Sequence, residues 1–87
     1  AEIINNLGAV YERLYLYEKA IKMYQRAIAN RPDLVDAHYN LGVIYWKLGR
    51  WRDVVTEFTI VLQLNPVHPG AKQFLPLARQ RINGPEL

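Results

Sequence analysis

The side chains of this 87-residue chain that could hold a metal ion or catalyse a reaction are few and far apart. It has two histidines, His38 and His68, and no cysteine. A zinc site needs several nitrogen, sulfur or carboxylate ligands close together, and neither histidine has a carboxylate one helical turn away. No glycine-rich phosphate loop, Ser-His-Asp set or paired-acid cleft can be recognised. We therefore expect no enzyme active site, no metal ion and no cofactor.

Other side chains in the sequence are suited to binding a peptide. A side-chain amide offers a donor and an acceptor, so Asn6 and Asn40 could each pair with both polar groups of one peptide unit. The alternative is that these asparagines cap or decorate a helix and face water. Tyr39 and Trp46 are of the aromatic types that often anchor a binding partner. For Trp46 the alternative is burial against the last helix, near Phe74.

These residues belong to an internal repeat with a period of 34 residues. The segment NLGAVYERL (6–14) aligns with NLGVIYWKL (40–48), and the same offset aligns Tyr24 with Phe58 and Pro32 with Pro66. The matching residues are apolar, glycine, proline or asparagine, whereas the charged positions differ. A repeat of this length indicates tandem structural units whose shared residues determine shape and packing.

Each unit is predicted to contain two helices, because apolar residues recur at steps of three and four. The segment 53–64 is rich in β-branched residues and could form a strand on propensity alone, but its repeat partner, 19–30, favours a helix. Gly8 and Gly42 lie inside helices, where glycine is unfavourable, and this predicts the close approach of a neighbouring helix. We expect Asp33 or Asp36 to cap the third helix.

The last part of the chain, 69–83, is predicted to be an amphipathic helix that closes the exposed end of the stack with its polar side. Pro76 lies inside this pattern and should kink or split the helix near Leu75. Asn83, Gly84 and Pro85 form a stop signal, so 84–87 is interpreted as a tail.

Taken together, these residues resemble the tetratricopeptide repeat family, whose unit is a 34-residue helix–turn–helix. The family pattern is a large residue, Leu-Gly, Tyr, a small residue, an aromatic residue, another small residue and Pro. In the first unit it falls on Ile4, Leu7, Gly8, Tyr11, Ala20, Tyr24, Ala27 and Pro32, and in the second on His38, Leu41, Gly42, Tyr45, Val54, Phe58, Val61 and Pro66.

The resemblance implies an all-α, right-handed superhelical stack that forms a single domain, 1–87. We assign one unit to 1–34, a second to 35–68 and a capping helix to 69–83. Two positions depart from the family pattern. Gly49 has the usual turn glycine, but Tyr15 replaces it in the first unit, where a left-handed conformation would cost roughly 1 kcal/mol or more. His38 stands where an aromatic residue is common, and we interpret it as a packing residue.

The resemblance also implies a function, the binding of an extended peptide or partner helix in a concave groove lined by the first helix of each unit. The candidate groove residues are Asn5, Asn6, Arg13, Tyr39, Asn40, Val43, Trp46 and Lys47. The last helix would add Gln73, Phe74, Leu77 and Arg81. The family's clamp for chaperone tails needs a lysine and an asparagine where this chain has Asn5 and Ala9, so that ligand is disfavoured.

An alternative function is that of an internal scaffold segment in a longer solenoid, which stacks on neighbours or forms a homo-oligomer through its repeat ends. Two full repeats are fewer than the three or so that such stacks need, which favours this view. We expect no nucleic-acid partner, because the net charge is only +3 and Glu2, Glu12 and Asp36 lie on the groove side.

The sequence also gives expectations about the cellular context. No apolar run is long enough for a membrane span, and polar residues stand where a signal peptide would be apolar, so we expect no membrane partner. The absence of cysteine fits a cytoplasmic location. The first residue is alanine, so we interpret the chain as an excised or processed piece.

Overall fold

A computed structural model describes residues 2–83, which form five α-helices joined by short connections. The helices are α1 (Glu2–Arg13), α2 (Tyr17–Asn30), α3 (Val35–Lys47), α4 (Trp51–Leu64) and α5 (Pro69–Asn83). No strand is present in this range, and the β-branched segment 53–64 lies in α4, so the all-α prediction is confirmed. The predicted tail, 84–87, lies outside the described residues. None of the five helices is both long and apolar enough to cross a membrane.

The helices stack in chain order into an elongated body of 43 × 28 × 18 Å. α1 packs against α2 and α3 against α4, while α2 also contacts α3 and α4 also contacts α5. α1, α3 and α5 lie side by side, since α1 contacts α3 and the ring of Trp46 on α3 meets that of Phe74 on α5. We call the surface formed by these three helices the inner face. The arrangement confirms a stack of helical repeats.

Each unit has one fully buried aromatic ring in the core, Tyr24 on α2 and Phe58 on α4. Each ring lies against the glycine of the preceding helix. A Cβ atom at Gly8 would lie 2.6 Å from Tyr24 Cε1, and one at Gly42 would lie 2.5 Å from Phe58 Cε1. Carbon atoms in favourable contact are about 3.5–4.0 Å apart. The packing role predicted for both glycines is therefore confirmed.

The turns inside the two units share one backbone geometry. Tyr15 has φ +62° and Gly49 has φ +73°, both in the left-handed region. In the first turn the amide of Leu16 donates to the carbonyl of Tyr11 at 2.9 Å, and in the second the amide of Arg50 donates to the carbonyl of Tyr45 at 2.9 Å. These are the bonds of a Schellman motif. The left-handed conformation considered for Tyr15 is thus present.

The capping prediction for the third helix was wrong. The residue that precedes α3 is Leu34, which makes no side-chain capping bond. Its side chain is buried with Ala27 and Ala37, so an apolar residue fills the space between α2 and α3 at this position. Asp33 instead lies 3.8 Å from the guanidinium of Arg31. Packing at the connection takes the place of the cap.

Of the two effects predicted for Pro76, a kink or a split, the split does not occur, because α5 runs without a break from Pro69 to Asn83. Proline inside a helix costs about 3 kcal/mol. Leu75 and Ala78, on either side of the proline, are buried in the core that α5 shares with α4. Apolar packing on both sides of Pro76 therefore holds the helix together across the missing hydrogen bond.

Candidate functional site

The centre of the inner face is an open apolar pocket between α3 and α5. Its volume is about 230 Å³, and its lining consists of Tyr39, Val43, Trp46, Phe58 and Phe74. Three of these residues, Tyr39, Val43 and Trp46, lie on α3 at steps of four and three positions, so they share one side of that helix. Phe58 comes from α4 and is only 1% exposed, so it forms the floor. The pocket is thus built on three helices rather than on loops.

The aromatic walls of the pocket are held in place by contacts with one another and with residues outside it. The ring of Trp46 meets that of Phe74 edge-on, with centroids 5.5 Å apart, and meets that of Trp51 edge-on at 4.9 Å. Tyr39 stacks on Phe58 with centroids 5.3 Å apart. Tyr39 also packs against the start of α5, where a Cβ atom at Gly70 would collide with the phenol. A pocket with fixed walls binds a ligand at a lower entropic cost.

Towards α1 the inner face becomes polar, and Glu12 connects three helices there. Its carboxylate accepts a hydrogen bond of 2.9 Å from the Tyr24 hydroxyl on α2 and one of 2.8 Å from the Lys47 ammonium on α3. Burial, and then the hydrogen bond to Glu12, raises the pKa of Tyr24. The same carboxylate raises the pKa of Lys47. The charge of Lys47 is therefore balanced within the chain rather than presented alone to a ligand.

The asparagines of the inner face are arranged differently in the two units. Asn40 is half-buried, and its Nδ2 donates to Oδ1 of Asn5 over 3.4 Å. Asn5 is buried, whereas Asn6, the repeat equivalent of Asn40, is exposed. A hydrogen bond of 3.4 Å is long, so a peptide group could replace it. The structure therefore brings Asn40 next to Asn5 rather than next to Asn6.

His38 faces away from the inner face and into the packing between α3 and α4. It is buried, with Nδ1 2.8 Å from Oε1 of Glu57 and Nε2 2.8 Å from the carbonyl oxygen of Pro32. Because a carbonyl oxygen can only accept, Nε2 carries a hydrogen atom. The side chain joins α3, α4 and the connection after α2. No group of three metal-ligating side chains occurs within residues 2–83.

The eight predicted groove residues fall into three sets. Tyr39, Val43 and Trp46 line the pocket. Asn5, Asn40 and Lys47 take part in the polar contacts between α1 and α3, and Asn6 and Arg13 are exposed outside the pocket lining. Sequence reasoning did not include Phe58 in the site, because its repeat position is a core position. Burial against the last helix and contact with a ligand in the groove were treated as rivals for Trp46; the structure packs Trp46 against Phe74 and also places it in the pocket lining, and contact with a ligand stays a prediction.

Two family models match the chain. One is described as TPR repeat and matches residues 17–49, and the other as Tetratricopeptide repeat and matches residues 37–66. Together they extend from the start of α2 to the connection after α4. The matched segments thus include the turn at Gly49 and the packed pair Gly42 and Phe58.

Similar proteins are found among much longer chains. Protein O-mannosyl-transferase TMTC3 of Mus musculus is 32% identical over 84 residues, which are 95% of this chain and 9% of that protein. The Peroxisomal targeting signal receptor of Eremothecium gossypii is 35% identical over 63 residues, 72% of this chain and 11% of the receptor. Mitochondrial import receptor subunit TOM70 of Homo sapiens is 30% identical over 76 residues, 82% of this chain and 12% of that subunit.

The chain therefore spans about a tenth of the length of these relatives. The similarity concerns the repeats, since the aligned stretch takes in most of the helical stack. With the two packed glycine–aromatic pairs and the two matching turns, these findings show that the chain belongs to the tetratricopeptide repeat family.

Proposed function

We propose that the inner face binds an extended peptide or a helix of a partner protein, and that one apolar side chain of the partner enters the pocket. The repeats and the receptor relatives support a role in protein interaction. The observation that carries the finer proposal is the apolar pocket with Tyr39, Trp46 and Phe74 at its walls. Pockets lined by aromatic residues are typical anchor sites of protein interfaces.

The dimensions and chemistry of the pocket favour a side chain over a cofactor. Small-molecule sites usually have volumes of about 300–1,000 Å³ and a few convergent polar groups. This pocket measures about 230 Å³, and its lining is five apolar or aromatic residues. The hydroxyl of Tyr39 and the indole N–H of Trp46 are the two polar side-chain groups among them, and the rest of the lining is apolar, so an apolar group such as a leucine or phenylalanine side chain suits the pocket best.

The polar residues beside the pocket supply groups for a peptide backbone. Asn40 lies about one helical turn before Val43 on α3, and its amide has both donor and acceptor groups. The partner class we propose is protein, because Lys47 is paired with Glu12 and so offers no phosphate-binding charge of its own. We propose no catalytic step, and a cytoplasmic location stays a prediction.

Selection of peptides from a random library displayed on phage would test this function. We expect the full chain to enrich peptides that share a bulky apolar residue. Val43→Phe, which fills the pocket from α3, should weaken the binding of a selected peptide about tenfold or more, because the anchor loses its space. The readout is a titration followed by the fluorescence of Trp46 and Trp51.

Trp51→Ala is the matched control. It removes the aromatic partner behind Trp46 but no residue of the pocket lining, so the affinity for the peptide should change less than with Val43→Phe. Circular dichroism checks that both variants keep their helices. Selected peptides that bind equally well to the wild-type chain and to Val43→Phe would contradict the proposal, as would a library that yields no binder.

A further inference from the structure

A positively charged side chain lies over an aromatic ring at equivalent places in the two repeats. In one pair the ammonium of Lys47 is 5.9 Å from the ring centroid of Tyr17. In the other pair the guanidinium of Arg81 is 5.1 Å from the ring centroid of Trp51. Both the cations and the rings are 34 residues apart in the sequence, so the pairs are repeat equivalents. Because the face of an aromatic ring attracts a positive charge, each pair fixes its cation near the end of α3 or of α5.

The carboxylate that binds the first of these cations has no equivalent beside the second. Glu12 accepts a hydrogen bond of 2.8 Å from the ammonium of Lys47. At the offset of 34 residues Glu12 corresponds to Trp46, which lines the apolar pocket. Arg81 is exposed and forms no ion pair with any residue of 2–83. The repeat therefore provides the cation twice but its carboxylate only once.

The surroundings of Trp51 contain a further positive charge. Trp51 borders an open cavity of about 390 Å³, which is lined by 49–53 and Ile82. Arg50 in this lining is paired with Asp53 at 2.9 Å, whereas Arg52 is exposed and has no ion-pair partner among the described residues. Arg52 corresponds to Glu18 in the first unit, so the charge at this position is reversed. The region around Trp51 therefore carries an excess of positive charge.

This positive region lies directly beside the apolar pocket. The rings of Trp46 and Trp51 meet with centroids 4.9 Å apart. Trp46 lines the pocket, and Trp51 has the Arg81 guanidinium on its ring, so one indole separates the pocket wall from the cation. An extended peptide advances about 3.3–3.6 Å per residue. One peptide can therefore reach both places with residues about two to four positions apart.

We propose, on the basis of the function proposed above, that Arg81 binds a side-chain carboxylate of the partner peptide about two to four residues from the apolar anchor. This carboxylate takes the place beside Arg81 that Glu12 has beside Lys47. A cation–π contact uses no hydrogen-bond donor, so the N–H groups of Arg81 stay available for a bidentate bond to the carboxylate. The ligand class is thus a peptide that combines a bulky apolar residue with an aspartate or glutamate. The clamp positions for chaperone tails considered above lie on α1 and form a different site.

A nucleic acid fits this arrangement less well than an acidic peptide. Its affinity comes from many phosphates, each neutralised by a cation along the backbone. The next cation along the inner face, Lys47, is already bound to Glu12. The unpaired charges are confined to the region around Trp51, which suits one or two carboxylates.

Selection from a random peptide library on phage tests the proposal with the wild-type chain and with Arg81→Gln. We expect the wild-type chain to enrich peptides with a bulky apolar residue and an acidic residue about two to four positions from it. Arg81→Gln should keep the apolar residue and lose the acidic one. Arg79→Gln is the matched control, because it removes the same charge from an exposed position of the same helix and should keep the acidic preference. Circular dichroism verifies that both variants fold.

A titration of one selected peptide, followed by tryptophan fluorescence, measures the size of the effect. Replacing the acidic residue of the peptide with its amide should weaken binding to the wild-type chain about three- to fivefold, as expected for a partly exposed ion pair. The same replacement should leave binding to Arg81→Gln unchanged. The preference of the wild-type chain should shrink as salt is added, because salt screens exposed charges.

Equal enrichment of acidic residues by the wild-type chain and by Arg81→Gln would overturn the proposal. Enrichment of apolar residues alone would also overturn it but would leave the function proposed above standing, whereas a library without any binder contradicts both. The rival carboxylate within the chain is Glu86, which lies outside the described residues. Acidic peptides selected by Glu86→Gln but not by the wild-type chain would overturn the proposal in favour of that carboxylate. Tighter binding of a ten-nucleotide oligothymidylate than of the peptide would overturn it in favour of nucleic acid.

Discussion

The contact between Gly42 and Phe58 leads to a prediction about Gly42→Ala. The new Cβ atom would lie 2.5 Å from Cε1 and 2.7 Å from Cδ1 of the Phe58 ring, about 1 Å inside the usual carbon–carbon contact distance. The ring has little room to withdraw, because it is 1% exposed and stacks on Tyr39. Relief therefore requires α3 and α4 to move apart or the ring to leave its rotamer.

Two opposing effects determine the size of the change in stability. Alanine is favoured over glycine inside a helix by about 1 kcal/mol, whereas overpacking a core costs about 1–3 kcal/mol. Because the clash involves two atoms of a fully buried ring, we place the cost near the upper end of that range. The expected net loss in the free energy of unfolding is about 1–2 kcal/mol. Urea unfolding followed by circular dichroism measures it.

A double-mutant cycle separates the clash from other effects. Phe58→Leu removes Cε1, the ring atom nearest to position 42, so Gly42→Ala should be less harmful in the Phe58→Leu background, with a coupling of about 1 kcal/mol. Gly8→Ala, which meets Tyr24 at 2.6 Å, should also destabilise. If Gly42→Ala instead stabilises the protein by about 1 kcal/mol, helix propensity dominates and the argument that close packing requires this glycine is refuted.

Two further predictions concern the first unit. Tyr15→Gly should stabilise the chain by about 0.5 kcal/mol, because relief of about 1–2 kcal/mol of left-handed strain exceeds the 0.4–1 kcal/mol that glycine's freedom in the unfolded state costs. The measurement is the midpoint of urea unfolding, which should rise. A lower midpoint would count against this reasoning. Burial and the hydrogen bond to Glu12 raise the pKa of Tyr24 above its value in the unfolded chain, about 10. The stability that Tyr24 contributes is therefore complete below about pH 10. It declines at higher pH, because the tyrosine of the unfolded state loses its proton first. Tyr24→Phe should be less stable at pH 7 yet lose less stability between about pH 9.5 and 11, and parallel curves of unfolding free energy against pH would contradict the assignment.

The main features of the fold could be predicted because each position of one repeat unit can be compared with the equivalent position of the other unit, 34 residues away. Segment 53–64 has strand-like composition, but its alignment with 19–30 identified it as a helix, and the structure has it in α4. The same comparison identified Gly8 and Gly42 as packing residues. Repetition helps because positions that determine shape are kept while surface positions change.

Features that depend on one particular contact were not predictable in this way. The preference of helix N-caps for aspartate predicted Asp33 or Asp36 as the cap of α3. The burial of Leu34 outweighs the one hydrogen bond that a cap supplies. Pro76 was expected to kink or split a helix, but α5 is not split, because packing on both sides of the proline holds the backbone. In each case a tertiary contact, which the local sequence does not contain, outweighs a local preference.

The sequence predicted which side of α3 carries the candidate site, but not the contacts that complete it. Helical periodicity put Tyr39, Val43 and Trp46 on one side of α3, and these three line the pocket. It did not reveal that Phe58 closes the floor, nor that Glu12 joins Tyr24 and Lys47. The partners of Glu12 lie 12 and 35 residues away along the chain, and such pairings arise only when the helices are packed.

The two halves of the inner face are held together by different forces, and this has a mechanical consequence. Between α3 and α5 the contacts are aromatic, whereas α1 and α3 meet there through the Asn5–Asn40 hydrogen bond and the Glu12–Lys47 ion pair. Salt screens a partly exposed ion pair but leaves aromatic packing in place. We therefore expect the joint between α1 and α3 to loosen as ionic strength rises, whereas the aromatic joint between α3 and α5 should keep its stiffness.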